Sequence, residues 1–138
     1  MKIKIFNYTS EDLNEKSLIL EKVFKYLKNK KTLSIIFYPK DMMIELNKKY
    51  LNHDYLTDVL SFPDDLSDDS LGDIFISPLK ILEQAEEKKN SFNYEMVYLA
   101  IHGYLHLLGY LHDSDTQYEE MEKAHNEIMS IVSRRKLL

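Results

Sequence analysis

The stretch HGYLHLLGYLHD, from His102 to Asp113, determines more about the fold than any other part of the sequence. His102 and His106 are four residues apart, so in a helix their side chains project from the same face, one turn apart. Gly109 can adopt a positive φ and end that helix, which brings His112 back toward the pair. The pattern therefore predicts a central helix that carries two histidines and a following turn that carries the third.

Three histidines at this spacing predict a metal site. Three neutral imidazole nitrogens at about 2.0–2.1 Å from the ion, with an open fourth position, are typical of catalytic zinc. The chain contains no cysteine, which excludes thiolate zinc sites, disulfide scaffolds, iron–sulfur clusters and cysteine nucleophiles. We expect one Zn²⁺ per chain on His102, His106 and His112. The alternative is a buried helix whose two core histidines are hydrogen-bonded to other groups. Two histidines in an otherwise apolar helix are costly to bury unpaired, and metal coordination would remove that cost.

The same spacing resembles the zinc-protease pattern HExxHxxGxxH, which makes a peptidase a second alternative. In that pattern the glutamate after the first histidine is the base that activates water. Here that position is occupied by Gly103. The one carboxylate that the predicted helix contains, Glu95, lies about two turns away. The sequence therefore disfavours a peptidase, although the three histidine ligands of the protease pattern are present.

Hydrophobic periodicity outside this segment predicts a small mixed fold. The predicted strands are Met1–Tyr8, Thr32–Tyr38, Val59–Phe62 and Ile74–Ser77. The predicted helices are Glu11–Lys31, Asp41–Leu51, Pro78–Lys89, Asn93–Leu108 and a last helix that begins at the capping box Ser114–Gln117. Asp41 and Asn93 are the predicted N-terminal caps of the helices that they begin. We expect a single α+β domain over residues 1–138, with a mixed sheet of about four strands covered by helices.

Composition narrows the class of protein further. The chain has 138 residues, 44% of them hydrophobic, and a net charge of −5. This acidic balance excludes a generic nucleic-acid coat, so any RNA contact must be local. The N-terminus lacks the features of a secretory signal, and the apolar run Met96–Leu111 is short and contains two histidines, which predicts a cytoplasmic protein without a membrane contact.

Three motifs together resemble those of the YbeY family of bacterial endoribonucleases. The family signature HGxLHLxGYDH is matched by His102–His112 at every specified position except Leu111, where the family usually has Asp. TDVLSFP at Thr57–Pro63 and LGDI at Leu71–Ile74 match two further family segments. A fourth region, with Leu46, Asn47 and Tyr50, also fits, but the family usually has Arg where this chain has Leu51.

The resemblance implies zinc on the three histidines and a single-strand-directed endoribonuclease. Its substrate would be the 16S rRNA precursor of the small ribosomal subunit, in 3′-end maturation and ribosome quality control. The side chain that acts as base is left open, with Asp73, Ser61 and His53 as candidates. The Leu51 departure keeps another function open, a ribosome-assembly factor whose metal is mainly structural. We expect a monomer or a weak oligomer.

Overall fold

The central sheet is built by strands whose side chains alternate between two covered faces. A computed structural model describes residues 1–51 and 59–138 of the chain. The strands are β1 (Ile3–Asn7), β2 (Thr32–Phe37), β3 (Val59–Pro63) and β4 (Ser70–Ile76). Their order in the sheet is β1-β2-β4-β3. β1, β2 and β4 run parallel, and β3 pairs antiparallel with β4 at the edge.

Five helices cover this sheet within the described residues. They are α1 (Asn14–Phe24), α2 (Lys40–Leu51), α3 (Pro78–Lys88), α4 (Phe92–Leu107) and α5 (Asp115–Arg134). α4 is the central helix, because it packs on β3 and β4 as well as on α1, α3 and α5. It is apolar nearly all round, as expected of a helix with protein on several sides. The α+β domain with a four-stranded mixed sheet is thus confirmed.

The two faces of the sheet have different coverings. In β4 the residues Gly72, Ile74 and Ile76 are buried, whereas the alternate residues are only half-buried. Ile74 belongs to the main core under α4. On the opposite face the ring of Tyr50, in α2, lies 5.4 Å from that of Phe62. α2 therefore lies on the other side of the sheet from α4.

Several predicted boundaries were wrong, each for a local reason. The first helix ends at Phe24 rather than Lys31 because its last turn tightens, with Tyr26 donating to the Val23 carbonyl. Strand β4 begins at Ser70, four residues before the predicted start, because Ser70 pairs with Thr32 of β2 and Gly72 pairs with Pro63 of β3.

Two predicted helix caps were also wrong. The second helix already includes Lys40, so Asp41 lies in its first turn and is not the cap. α4 is capped by Ser91 rather than Asn93, because the Ser91 side chain accepts a hydrogen bond from the Tyr94 N–H. The last predicted cap was right, since Ser114 accepts from the Gln117 N–H at the start of α5.

Candidate metal centre

The end of α4 is a left-handed turn that Gly109 makes possible. Gly109 has φ of +102°. Its N–H donates to the His106 carbonyl, and the Tyr110 N–H donates to the Leu105 carbonyl, both at 3.0 Å. These two bonds form a Schellman motif, which ends a helix and reverses the chain. The turn predicted from the glycine is confirmed, and it directs the following residues back toward the histidine face of α4.

The structure brings the three predicted histidines together. One potential ligand atom from each of His102, His106 and His112 lies within 4.8 Å of the other two. The Nε2 atoms of His102 and His106 are 3.0 Å apart. His102 and His106 are half-buried on α4, whereas His112 is exposed in the turn that follows.

The tautomer of His106 suits a metal ligand. Its Nδ1 lies 3.0 Å from the carbonyl oxygen of Tyr110. Because a carbonyl can only accept, neutral His106 carries its proton on Nδ1, and the Nε2 lone pair faces His102. A backbone carbonyl on the second nitrogen is the usual support of a metal-binding histidine. Two nitrogens on tetrahedral zinc lie roughly 3.4 Å apart, so a three-histidine zinc site fits the arrangement after small side-chain movements.

The protonation state of His106 also favours metal binding. Burial lowers the pKa of His106, and a nearby positive charge on His112 lowers the pKa further. The hydrogen bond to the Tyr110 carbonyl and the carboxylate of Asp113 act in the opposite direction. Since burial is the largest effect, the neutral imidazole, which is the form that binds metal, is favoured.

Gly103 allows α4 to approach the sheet closely. A Cβ atom at this position would lie 3.0 Å from Cγ2 of Ile74 and 3.1 Å from Oγ of Ser61. The Ser61 hydroxyl donates to the Gly103 carbonyl at 3.3 Å. The glycine that stands in the protease-glutamate position therefore faces the buried sheet and leaves no room for a carboxylate side chain.

The other predicted site residues lie in different places. Ser61 holds β3 against α4 next to His102. Asp73 neighbours Ile74 in β4 and so points to the opposite face of the sheet from α4. There it borders a cavity of about 280 Å³ together with Tyr50. Burial raises the pKa of Asp73, the nearby carboxylate of Asp64 adds to this, and a hydrogen bond with Ser34 opposes it.

Of three further positions from the sequence analysis, two lie within the described residues. His53 lies outside the described residues, as do Thr57 and Asp58 of the TDVLSFP segment. Leu51, at the end of α2, is 49% exposed, and Leu111, in the turn before His112, is equally open at 49%. Neither departure from the family pattern disturbs the core.

Sequence reasoning missed the contribution of α5 to this centre. A small cavity of about 90 Å³ is bordered by His102 and His112 and also by Glu122 and Asn126 of α5. The buried ring of His125 also borders it and is tilted by 33° against the Tyr98 ring, at 4.0 Å between ring centroids. The i, i+4 spacing of these α5 residues was visible, but nothing in the sequence showed that this face meets α4.

The likeness of this chain to known proteins extends over nearly its whole length. A family model described as "Endoribonuclease YbeY" matches residues 2–133. The chain belongs to the YbeY family. In the described residues of this YbeY-family chain, no helix is long and apolar enough to cross a membrane.

Individual YbeY relatives match along most of their length. A protein named Endoribonuclease YbeY from Acholeplasma laidlawii (strain PG-8A) is 44% identical over 131 residues, which cover 94% of this chain and 96% of the relative. The protein of that name from Onion yellows phytoplasma (strain OY-M) is 41% identical over 138 residues, covering 96% and 94%. A solution structure of a protein from Thermotoga maritima aligns with a TM-score of 0.60 and 30% identity, covering 98% of this chain and 94% of that one.

Proposed function

We propose that this chain is a zinc-dependent endoribonuclease directed at single-stranded RNA. The observation that carries the proposal is the convergence of three imidazoles, with His106 fixed by the Tyr110 carbonyl. Membership of a family whose curated relatives are named endoribonucleases supports RNA as the substrate. The proposed role is 3′-end maturation of 16S rRNA and ribosome quality control, in the cytoplasm, with the small ribosomal subunit as partner.

The chain's own residues supply ligands and their positioning. Zinc held by three imidazoles would provide a Lewis acid for a phosphate oxygen and a water with a pKa lowered to about 7. His102 and His106 are presented by the same face of a rigid helix, and the Schellman turn adds His112. Ser61 fixes β3 to the backbone next to His102, so the edge strand borders the same region. These contacts build the centre in advance of substrate binding.

The proton acceptor is proposed among the three sequence candidates. Ser61 lies on the α4 side of the sheet, but its hydroxyl donates to the Gly103 carbonyl. Asp73 lies on the opposite face, and His53 is outside the described residues. Cleavage rates of Ser61→Ala, Asp73→Asn and His53→Ala, each at several pH values, decide among them. The base is the residue whose replacement removes the acidic limb of the pH profile, where a base becomes protonated, while zinc binding is retained.

The proposal is tested by cleavage of a defined RNA by purified protein. A single-stranded substrate and its duplex form are incubated with the zinc-loaded protein, with chelator-treated protein and with His106→Ala. We expect cleavage of the single strand only, lost with chelator, restored by added zinc and absent in the variant. Cleavage that survives both treatments would come from a contaminating nuclease and would contradict the proposal.

A ribosome-assembly factor with a mainly structural metal is the second candidate. It is favoured by the exposed Leu51, because an arginine in the family position would bind a phosphate with two donors. Both arginines of the chain, Arg134 and Arg135, are at its C-terminal end. Stable binding to small-subunit particles without any cleavage would favour this candidate. Sedimentation with purified particles, compared with light scattering of the free protein, also tests the expected monomer or weak oligomer.

A further inference from the structure

A further cavity, bordered by described residues, lies away from the histidines. It has a volume of about 720 Å³, which is within the range of small-molecule sites. Its walls include the aromatic rings of Tyr8, Tyr38 and Phe92 and the side chains of Lys16 and Lys40. None of these residues belongs to the candidate metal centre.

The position of this cavity follows from the topology of the sheet. Tyr8 and Tyr38 directly follow the carboxyl ends of β1 and β2. The chain then leads from β1 to α1 on the α4 side, and from β2 to α2 on the opposite side. Where neighbouring parallel strands send their connections to opposite faces, a crevice opens at their carboxyl ends, and ligands bind there in open α/β sheets.

The aromatic wall offers surface on which a flat ring can stack. Tyr8 is 60% exposed, and its ring meets that of Tyr38 edge to face at 5.7 Å between centroids. The edge of one ring against the other holds both in fixed orientations. The backbone N–H groups of both residues are bonded to the neighbouring strands, so the rings are carried by rigid backbone.

A half-buried cation lies in the same cavity. The Lys16 ammonium donates to Oδ1 of Asn93 at 2.6 Å and sits 5.0 Å from the centre of the Phe92 ring. Within the described parts of the chain its hydrogen-bond partner is a neutral amide, not a carboxylate. The Lys16 charge is therefore held in place without being neutralised, which favours an anionic group of a ligand. Glu11 and Asp12 on the rim are exposed and would keep a phosphate on the lysine side.

We propose that this cavity binds a nucleotide of the single-stranded RNA outside the cleavage site, with its base against Tyr8 and its phosphate near Lys16. The inference rests on the proposed function for the identity of the ligand. Base stacking on aromatic side chains together with lysine contacts to phosphate is the usual means of binding single strands. The cavity would hold the strand while the histidine centre cuts it elsewhere.

The distance between the two sites suits a continuous strand. Phe92 is the first residue of α4 and His102 is ten residues further along, which corresponds to about 15 Å of helix. A strand of about a dozen nucleotides extends roughly 40 Å even when its bases are stacked. It can therefore reach from the cavity to the centre, and α4 fixes the separation between them.

The test is the affinity of metal-free protein for a fluorescent 12-nucleotide RNA, measured by anisotropy. We expect Tyr8→Ala to weaken binding about fivefold or more, because a stacked base is lost, and Tyr8→Phe to retain it. Lys16→Gln should reduce the slope of log affinity against log salt by about 0.7, one phosphate contact on a single strand. The matched control is Tyr26→Ala, an exposed tyrosine outside the cavity, which should bind as the unaltered protein does.

The outcomes separate this inference from the proposed function. Equal affinities of Tyr8→Ala, Tyr8→Phe and unaltered protein overturn the cavity as an RNA site, whether or not the protein cleaves RNA. Failure to cleave RNA, with Tyr8-dependent binding intact in both the unaltered protein and His106→Ala, overturns the nuclease alone. A free mononucleotide that binds as tightly as the 12-mer overturns RNA as the occupant. Thermal unfolding of each variant verifies that it folds, as expected for a residue as exposed as Tyr8.

Discussion

The Nδ1 atom of His106 lies 3.0 Å from the carbonyl oxygen of Tyr110, four residues further along the chain. The Schellman turn at Gly109 produces this contact, because it reverses the chain within one turn of the second histidine. The contact fixes the His106 tautomer and directs Nε2 toward His102. Gly109 thus ends the helix and also allows the backbone contact that orients the metal-binding nitrogen of His106.

Zinc content should depend directly on this histidine set. We expect about one zinc per chain in protein purified without added metal, and a strong loss in His106→Ala and in His112→Ala, because two imidazoles hold zinc much more weakly than three. Elemental analysis after extensive buffer exchange measures it. His125→Gln is the control, since His125 bonds the Tyr98 carbonyl and lies outside the cluster. Metal near zero in the unaltered protein, even after zinc addition, would rule out the site.

Two glycines with positive φ should differ sharply in their tolerance of alanine. A Cβ at Gly72 would lie 2.1 Å from the Phe62 carbonyl oxygen, whereas nothing lies within 4 Å of one at Gly109. We expect Gly72→Ala to lower the free energy of unfolding by about 3 kcal/mol or more, since β3 must move away from β4. Gly109→Ala should cost only about 1–2 kcal/mol of backbone strain. Urea unfolding of both variants measures the difference, and similar losses would contradict this explanation.

The buried histidine of α5 should make stability depend on pH. Burial lowers the pKa of His125, although its bond to the Tyr98 carbonyl opposes this. The unfolded chain therefore binds a proton more readily, and stability present above a pH of about 6.5 is lost as the pH falls. We expect the free energy of unfolding to drop between pH 7.5 and 5.5, with His125 contributing at most about 1.4 kcal/mol per pH unit.

The matched variant for this prediction is His125→Gln, which keeps a donor for the Tyr98 carbonyl but does not titrate. Urea unfolding of chelated protein at each pH compares the two slopes. Because burial also lowers the pKa of His106, some pH dependence should remain in the variant. Identical slopes would show that His125 does not contribute.

The fold was largely predictable because its elements are marked by local signals. Pro78 and Ser114 indicated helix starts, alternation indicated β1, and β-branched and aromatic residues indicated β2. The early start of β4 was missed because Ser70 and Gly72 carry no strand signal of their own. They become strand only by pairing with Thr32 of β2 and Pro63 of β3, and pairing between strands cannot be read from the pattern of one segment alone.

The site was predictable only where its residues share one helix and one turn. The spacing of His102, His106 and His112 is a local property, and a close cluster follows from it. The placement of Asp73 could not be predicted from local spacing, since it depends on which face of β4 meets α4. The contribution of Glu122 required the packing of α5 on α4, which is set by tertiary contacts that no spacing reveals.

Restoring the arginine of the family pattern should increase cleavage. Leu51 is 49% exposed at the end of α2 and follows Tyr50, which packs on Phe62 of the edge strand. An arginine here replaces no core contact, and its charge is favourable at a helix C-terminus. Its two parallel donors would stabilise charge on the phosphate as the bond breaks, so Leu51→Arg should raise the rate about tenfold or more.

The matched variants for this prediction separate geometry from charge. Leu51→Lys adds the same charge without the planar pair of donors and should give a smaller gain, and Leu51→Met keeps an apolar side chain and should give none. Single-turnover cleavage of one RNA by all four proteins, with zinc content equalised, measures the effect. If Leu51→Lys and Leu51→Arg accelerate cleavage equally, net charge is responsible. If neither variant accelerates cleavage, the phosphate lies beyond the reach of a side chain at position 51, and the missing arginine does not limit the rate.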